Sequence, residues 1–509
     1  MSRSRTENTK RSIIAGLLNQ GVSLILPFIN RTIIIHFLGV EFGGLSSLFT
    51  SILSVLSLAE LGFGSAAVYS LYKPMAEQNK ARICELLALY RRIYFVVGCT
   101  VLGLGLFVTP FIPKLIHGSY PAGVDIYLLY ALFLARSVIS YFFFAYKEAL
   151  LIADQRKDIL EYIRAGINVA QFVGQCAVLL IWKNYYMYLL VSIICTVASN
   201  IILQIISCRK YPSFMPIMNR GTRIPKEMKQ QIGALFINRI CDTCRNSLDS
   251  LIISAMLGLV ATTIYGNYYY VYAALYAGTL TISNALDPSV GNSIAQESQE
   301  KNYNDFLKFT YIFAWISGWC TVCLLCLYQP FMQVWMGNEM KLPFYEMMLF
   351  CIYFYAINMN NIRNVYANGS AMWWKMKASY IVEAIANLTL NILLGRLFGM
   401  AGILWATIIT IFISNFLWRT AILFNHYFKG KSLLRLLVDH FYYFLITVVA
   451  SGVTYYFCSL VNASDWVKLI FSGIICLIVP NIVFLCGFAP RKYFKPSLTF
   501  VTQIIKKRI

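Results

Sequence analysis

Arg31-Thr-Ile-Ile-Ile-His-Phe-Leu-Gly39 closes the first long apolar stretch of this 509-residue chain, and Ser250-Leu-Ile-Ile-Ser-Ala-Met-Leu-Gly258 closes the seventh. Both runs end in Leu-Gly, and the two glycines stand 219 residues apart. Both stretches enter from the same side of the barrier they cross, so the spacing predicts a parallel repeat. Working outward from this pair, fourteen apolar stretches follow one another, near 12-35, 45-72, 93-113, 124-153, 160-182, 186-208, 230-257, 262-286, 307-329, 344-366, 378-396, 398-420, 437-460 and 466-488. A helix of about 20 mostly apolar residues spans a hydrocarbon core of about 30 Å. The expected fold is therefore an all-α polytopic membrane protein of about fourteen transmembrane helices.

Composition reaches the same class independently. Hydrophobic residues make up 59% of the chain and charged residues 13%, about half the charge of a soluble protein. The net charge of +21 is dispersed among short loops. There it sets orientation and meets anionic lipid headgroups, which argues against nucleic acid as a partner. With the N-terminus inside, 32 Lys and Arg fall in cytoplasmic segments, and only Lys114, Lys183, Lys341, Arg396 and Lys468 fall opposite. The positive-inside rule then predicts both termini in the cytoplasm. The first stretch is too long for a signal-peptide core and lacks a small-residue cleavage site, so it reads as a retained span.

The longest basic linker, 209-229, carries Pro212, Pro216 and Pro225 and marks the best internal boundary. The expected organisation is a six-helix bundle over 1-208, the cytoplasmic linker 209-229, and a second six-helix bundle over 230-425. Two extra transmembrane helices and a basic cytoplasmic tail complete 426-509.

No catalytic residues or metal ligands are expected. Cys241/Cys244 and Cys320/Cys323/Cys326 have metal-like spacing but lie within apolar helices without nearby His, where cysteine behaves as a small hydrophobe. His36, His117, His426 and His440 are scattered, and no nucleophile triad, phosphate loop or zinc motif occurs. The short external loops leave no room for a large extracytoplasmic catalytic site.

Six basic residues remain inside the spans: Arg31, Arg136, Lys147, Arg239, Arg245 and Arg363. A charge at the bilayer centre costs about 2.5–3.5 kcal/mol on insertion scales, so such residues face a bundle interior or a wet cavity and pair with one another. Arg239, Asp242, Arg245 and Asp249 fall three, three and four residues apart. At about 100° per residue they form one stripe of alternating charge, fit either for a cavity wall or for a salt-bridged seam. Glu60 lies near the middle of the second span, beside Gly62 and Gly64. Glu60, Asp242 and Asp249 are the candidates for coupling to H+ or Na+, with an ion pair to Arg31 or Arg136 as the alternative for Glu60, and no other cofactor is expected. Arg31, Arg136, Arg239 and Arg245 place two cations in each half, as an anionic substrate requires, and arginine suits phosphate through its planar fork of donors. Arg363 and Glu383 stand close enough to the cytoplasm to face a loop. Tyr265, Tyr268, Tyr272 and Tyr276 share a helical face, open either to stacking on sugar rings or to ordinary packing.

The stretch Leu26-Pro-Phe-Ile-Asn-Arg-Thr-Ile-Ile-Ile-His-Phe-Leu-Gly39, followed by Gly43-Gly-Leu-Ser-Ser-Leu-Phe49, Leu56-Ser-Leu-Ala-Glu-Leu-Gly-Phe-Gly-Ser-Ala66 and Tyr69-Ser-Leu-Tyr-Lys-Pro-Met-Ala76, resembles the N-terminal region of bacterial oligosaccharide flippases. These O-antigen and capsule repeat-unit (Wzx-type) flippases belong to the polysaccharide transport branch of the multidrug, oligosaccharidyl-lipid and polysaccharide (MOP) exporter superfamily. The matching block covers about the first 95 residues, and later spans match by layout.

The resemblance implies a V-shaped, MATE-like pair of six-helix bundles in the bacterial cytoplasmic membrane, moving an undecaprenyl-diphosphate-linked oligosaccharide between leaflets by alternating access. It implies a cationic cavity, for which Arg31, Arg136, Arg239 and Arg245 fit. It also implies service to lipopolysaccharide or capsule synthesis, with polysaccharide polymerase and glycosyltransferases as partners beside membrane lipids. Rival readings are a multidrug or small-metabolite antiporter, which favours acidic sites, and a membrane glycosyltransferase or polymerase, which needs an acidic catalytic pair. A non-transporting scaffold is the remaining alternative.

Overall fold

The computed structural model describes residues 5–57, 68, 70–72, 74–75, 77–118, 120–142, 147–154, 156–214 and 226–506; for 5–14, 17, 24, 226–240, 242, 244, 246 and 504–506 it describes the backbone alone. The described chain is helical throughout. Its helices are α1 (Arg5–Leu38), α2 (Val40–Leu56), α3 (Lys80–Val108), α4 (Ile126–Phe142), α5 (Glu148–Ala153), α6 (Lys157–Ile181), α7 (Tyr185–Lys210), α8 (Lys226–Asn284), α9 (Asp287–Gln296), α10 (Gln299–Met336), α11 (Phe344–Asn358), α12 (Asn361–Gly369), α13 (Trp373–Thr410), α14 (Arg419–His426), α15 (Leu433–Ser459), α16 (Asp465–Phe488) and α17 (Phe494–Lys506).

Where they are described, the fourteen expected stretches fall mainly on helix, broken at 285-286 and 359-360 and non-helical at a few ends such as 124-125, and the elements are cut differently. Nine helices are long and apolar enough to cross a membrane among the described residues, and Val40–Leu56 and Ile126–Phe142 are shorter apolar helices. Two of the nine, Ser247–Gln296 and Trp373–His426, are 50 and 54 residues long and each hold two expected spans. Glycine makes the joints. Gly258 (φ 86°, ψ −179°) breaks α8, and Gly399 (φ 60°, ψ −136°) breaks α13. Such backbone is open essentially to glycine alone. Beyond α13 the helix widens into a π-helical segment, Ile411–Trp418.

The predicted repeat recurs as backbone geometry. Gly39 turns α1 into α2 with φ 110° and ψ 165°, nearly the conformation of Gly258 at an offset of 219. Gly118 and Gly337, again 219 apart, have φ of 82° and 85° before α4 and α11. Asn79 caps α3 by accepting from the Arg82 N–H, and Ser298, 219 residues on, caps α10 by accepting from the Lys301 N–H. The turn between α6 and α7 at Lys183 (φ 48°) corresponds to Gly399 at an offset of 216. Composition alone would not place positive-φ turns and caps in register along both halves.

The chain forms two compact units, Met1–Thr263 and Ile264–Ile509. The anticipated boundary at 209-229 falls partly outside the description, since residues 215–225 are not described. In the first unit, Leu45, Leu48, Phe49 and Ile52 of α2 pack on Tyr130, Phe133 and Leu134 of α4 and on Leu179, Tyr185 and Leu189 of α6 and α7. Phe49 meets the Tyr130 and Phe133 rings edge-on at 5.5 and 5.4 Å. In the second unit, α16 docks on α10: the Trp315 indole N–H donates to Asn481 Oδ1 and the Trp319 N–H to the Cys476 carbonyl, both at 2.9 Å. Large apolar side chains such as Phe107, Ile194, Leu397 and Phe441 point outward, as expected of helices solvated by acyl chains. At the basic helix ends, Lys210 pairs with Asp154 at 2.7 Å, and burial together with the Asp154 carboxylate pushes the Tyr211 hydroxyl well above its usual range.

Candidate functional site: cations and carboxylates at mid-depth

Arg31 lies eight residues before Gly39, about 12 Å from the turn at 1.5 Å per residue. It is 5% exposed. Its guanidinium donates to Ser47 Oγ of α2 at 3.2 Å and to the Thr263 carbonyl of α8 at 3.0 Å. Glycine lets these helices meet. A Cβ on Gly44 would stand 2.3 Å from the Leu259 carbonyl oxygen, and one on Gly43 would stand 2.8 Å from the Thr263 methyl. Thr263 Oγ1 also donates to the Val40 carbonyl at 2.6 Å. Ser254 Oγ donates to the Leu115 carbonyl at 2.8 Å, and the His117 N–H donates to the Ser254 carbonyl at 2.9 Å. Arg31 therefore belongs to a close-packed junction of α1, α2 and α8.

Arg136 has a different setting. It stands ten residues into α4, about 15 Å from the helix start, close to the middle of a 30 Å core. Its side chain is exposed, and it makes no ion pair among the described residues. Arg245 and Asp249 on α8 are both buried, at 7% and 1% exposure. Asp249 precedes Gly258 by nine residues, which matches the depth of Arg31 below Gly39. Glu60 and the side chains of Arg239 and Asp242 lie outside the described residues.

Several expectations are corrected. Glu383 and Arg363 do not face a loop: both are buried. Glu383 pairs with Arg419, which also donates to Ser379 Oγ at 3.1 Å and covers the Tyr380 ring at 3.7 Å. Arg419, counted among the 32 basic residues of the cytoplasmic segments, thus lies in a buried pair. Arg363 donates to the backbone and side-chain oxygens of Asn415. Asn415 lies in the π-helical segment, where the altered pairing leaves a carbonyl free to accept. Lys147, one of the six basic residues within the spans, is buried against Cys208, with Nζ to Sγ 3.1 Å.

Three of the four tyrosines on the shared face pack inward, while Tyr276 is half-buried and stacks on Tyr272. Tyr265, Tyr268 and Tyr272 are buried against α10 and α11; Tyr272 stacks on Tyr353 at 4.5 Å, and Tyr268 meets Tyr328 at 5.0 Å. These rings are core and offer no platform to a sugar. Helical spacing had placed them on one face without showing what that face meets.

Sequence reasoning missed a polar seam between α1 and α6. Asn19 Nδ2 donates to Glu161 Oε2 at 2.7 Å, and Asn30 Nδ2 donates to Gln175 Oε1 at 2.9 Å. Glu161 and Gln175 are buried within an apolar helix. The available signal was a helical stripe, with Glu161, Asn168, Gln171 and Gln175 of α6 spaced seven, three and four residues apart. In the second unit, Asn387 Nδ2 donates to Thr407 Oγ1 at 3.1 Å, and Asn391 Nδ2 donates to Asn387 Oδ1 at 3.3 Å, all buried. Each unit therefore keeps a hydrogen-bonded polar interior at membrane depth.

No family model matches the sequence, and no curated protein matches it. Solved structures do match. A structure titled lipid II flippase MurJ, inward closed conformation, aligns with a TM-score of 0.68 at 13% identity, covering 94% of this chain and 99% of that one. An inward-facing multidrug resistance MATE family transporter of the MOP superfamily aligns with a TM-score of 0.59 at 12% identity, covering 82% and 100%. The Vibrio cholerae MATE transporter VcmN aligns with a TM-score of 0.55 at 11% identity, covering 84% and 99%. This multi-pass membrane chain thus has the fold common to MurJ and the MATE transporters of the MOP superfamily.

Proposed function

We propose that this chain is a flippase that carries an undecaprenyl-diphosphate-linked oligosaccharide from the cytoplasmic to the outer leaflet. Arg136 is the observation that carries the reading: an exposed cation at mid-membrane depth, outside any ion pair among the described residues. Facing hydrocarbon it would cost about 2.5–3.5 kcal/mol or more, so it belongs on a wetted surface. A guanidinium there suits a diphosphate through charge-assisted, bidentate hydrogen bonds. Unassisted, a diphosphate and sugars crossing lipid would lose hydrogen bonds at several kcal/mol for each polar group. A wetted path supplying cations removes much of that penalty, while the lipid tail stays in the bilayer.

The 94% coverage by the lipid II flippase match, against 82% for the MATE match, favours a lipid-linked cargo over a small drug. In this reading Arg31 and Arg245 support the head group. Asp249 serves H+ or Na+ coupling, with Glu60 and Asp242 as its partners in that role. Glycosyltransferases build the cargo on the cytoplasmic leaflet and a polymerase consumes it outside, with both termini of this chain in the cytoplasm.

The test is leaflet translocation of a fluorescent undecaprenyl-diphosphate oligosaccharide in proteoliposomes. Wild type should transport, Arg136→Ala should lose at least about tenfold, equivalent to about 1.4 kcal/mol, and Arg136→Lys should retain part. Equal transport by folded wild type and Arg136→Ala would sink the diphosphate role. Transport of cationic drugs but not of the lipid would favour the exporter reading.

A further inference from the structure

Cys326 of α10, Cys458 near the end of α15 and Cys476 of α16 come from three helices, far apart in sequence, yet their sulfurs all lie within 4.8 Å of one another. Each is at most 5% exposed. Cys320 and Cys323, which share the spacing noted in the sequence, are not members, although Cys323 Sγ contacts the Cys476 carbonyl at 3.8 Å. Thiols used only as small hydrophobes have no reason to converge on each other. Three sulfurs each about 2.3 Å from a d10 cation stand about 3.8–4.0 Å apart, so adjustments of under about 1 Å would close the triangle.

A second, independent feature points the same way. A cavity of about 360 Å³ is lined by Cys326, Cys458, Ser472, Gln329, Lys341 and Asp465, among others. Ser472 is fully buried, with its hydroxyl beside the Cys458 thiol and its carbonyl 3.9 Å from Cys458 Sγ. That hydroxyl, or a water it holds, can complete a four-coordinate site. Toward the mouth, Asp465 is held by Gln333, which donates to it at 2.7 Å and in turn accepts from Lys341 at 3.0 Å. Asp465 shares the mouth with Lys341 and Lys468, and the cavity leads from there to Cys326 and Cys458.

We propose that Cys326, Cys458 and Cys476 form a binding site for a thiophilic d10 cation, Zn2+ by preference, that ties α15 and α16 to α10. Binding replaces each coordinating thiol proton with a bond to the metal and releases that proton to water; no electron moves. Sulfur donors select for Zn2+ and against the hard cations Mg2+ and Ca2+.

Full-length protein purified in detergent, stripped of metal and reloaded with Zn2+, should retain one equivalent after desalting by elemental analysis. Loading with Co2+ should give an intense thiolate-to-metal charge-transfer band in the near ultraviolet. Both signals should be lost in C458A and in C326S/C476S, and kept in C323S. C458A only trades one small apolar side chain for another, so it should stay monodisperse and keep wild-type helicity. A folded C458A that still holds Zn2+, wild type that holds none, or a Cys458–Cys476 disulfide in freshly isolated membranes would each overturn the site.

Discussion

A guanidinium ten residues into α4 and another buried between α1, α2 and α8 do different work, although the sequence offers them as equals. Arg31 spends two donors on Ser47 and the Thr263 carbonyl, so Arg31→Ala should weaken the helix junction as well as transport. We expect it to lower thermal stability by about 1.5–3 kcal/mol, the range for a buried hydrogen bond to a charged group, whereas Arg136→Ala should leave the melting curve unchanged. A thermal shift assay on both variants separates the roles. The Glu383–Arg419 pair is structural: Glu383→Gln strips a buried arginine of its counter-charge and should cost about 3–5 kcal/mol, readable as loss of monodisperse protein on mild heating. Asp249→Asn should abolish the gradient dependence of transport while leaving downhill exchange in place; unchanged gradient dependence would remove Asp249 from coupling. Depth and charge are one-dimensional properties, so spacing alone offers Arg31, Arg136, Arg245 and Asp249 as candidates. Partners are not: Glu383 and Arg419 lie 36 residues apart and meet only because α13 is broken at Gly399 and folds back.

At the level of elements, the same breaks fall where the apolar stretches part, so the stretches were legible while the backbone conformation of their joints was not. Hydropathy marks the gaps between apolar stretches at 258-261 and 397, beside Gly258 and Gly399, but does not show that each gap is a one-residue turn through which the helix runs on. Gly39 and Gly258 share a conformation, but their surroundings differ. A Cβ on Gly39 meets nothing within 4 Å, while one on Gly258 would stand 2.8 Å from the His117 carbonyl oxygen. Gly39→Ala should therefore cost about 1–3 kcal/mol of backbone strain alone, and Gly258→Ala should cost more and loosen the loop before α4. Comparing unfolding midpoints of the two single variants checks the order; equal losses would mean that strain dominates both. The tyrosine ladder shows the complementary limit: periodicity finds the common face of Tyr265, Tyr268 and Tyr272, and only packing against Tyr328, Phe350 and Tyr353 shows that the face is closed.

For the whole molecule, the 32-to-5 asymmetry of basic residues predicts that alkaline phosphatase fused after Lys183 or Lys341 is active, and that fusions after Lys210 or Lys431 are inactive. The opposite pattern would invert the chain in the membrane. The fold shared with MurJ and the MATE transporters was accessible from the N-terminal motif block and from the repeat, because both are written in local sequence. The partition into Met1–Thr263 and Ile264–Ile509 was not, because it depends on where the second limb of α8 finds its neighbours. The glycine joints also constrain biogenesis. A turn of one residue at Gly39 or Gly258 leaves no hydrophilic segment to thread across the bilayer. Each pair of limbs must then enter lipid together as a hairpin, its basic flanks held on the side where synthesis occurs. Lengthening either joint by a few polar residues would convert that concerted insertion into two sequential crossings and expose one limb to water before its partner arrives.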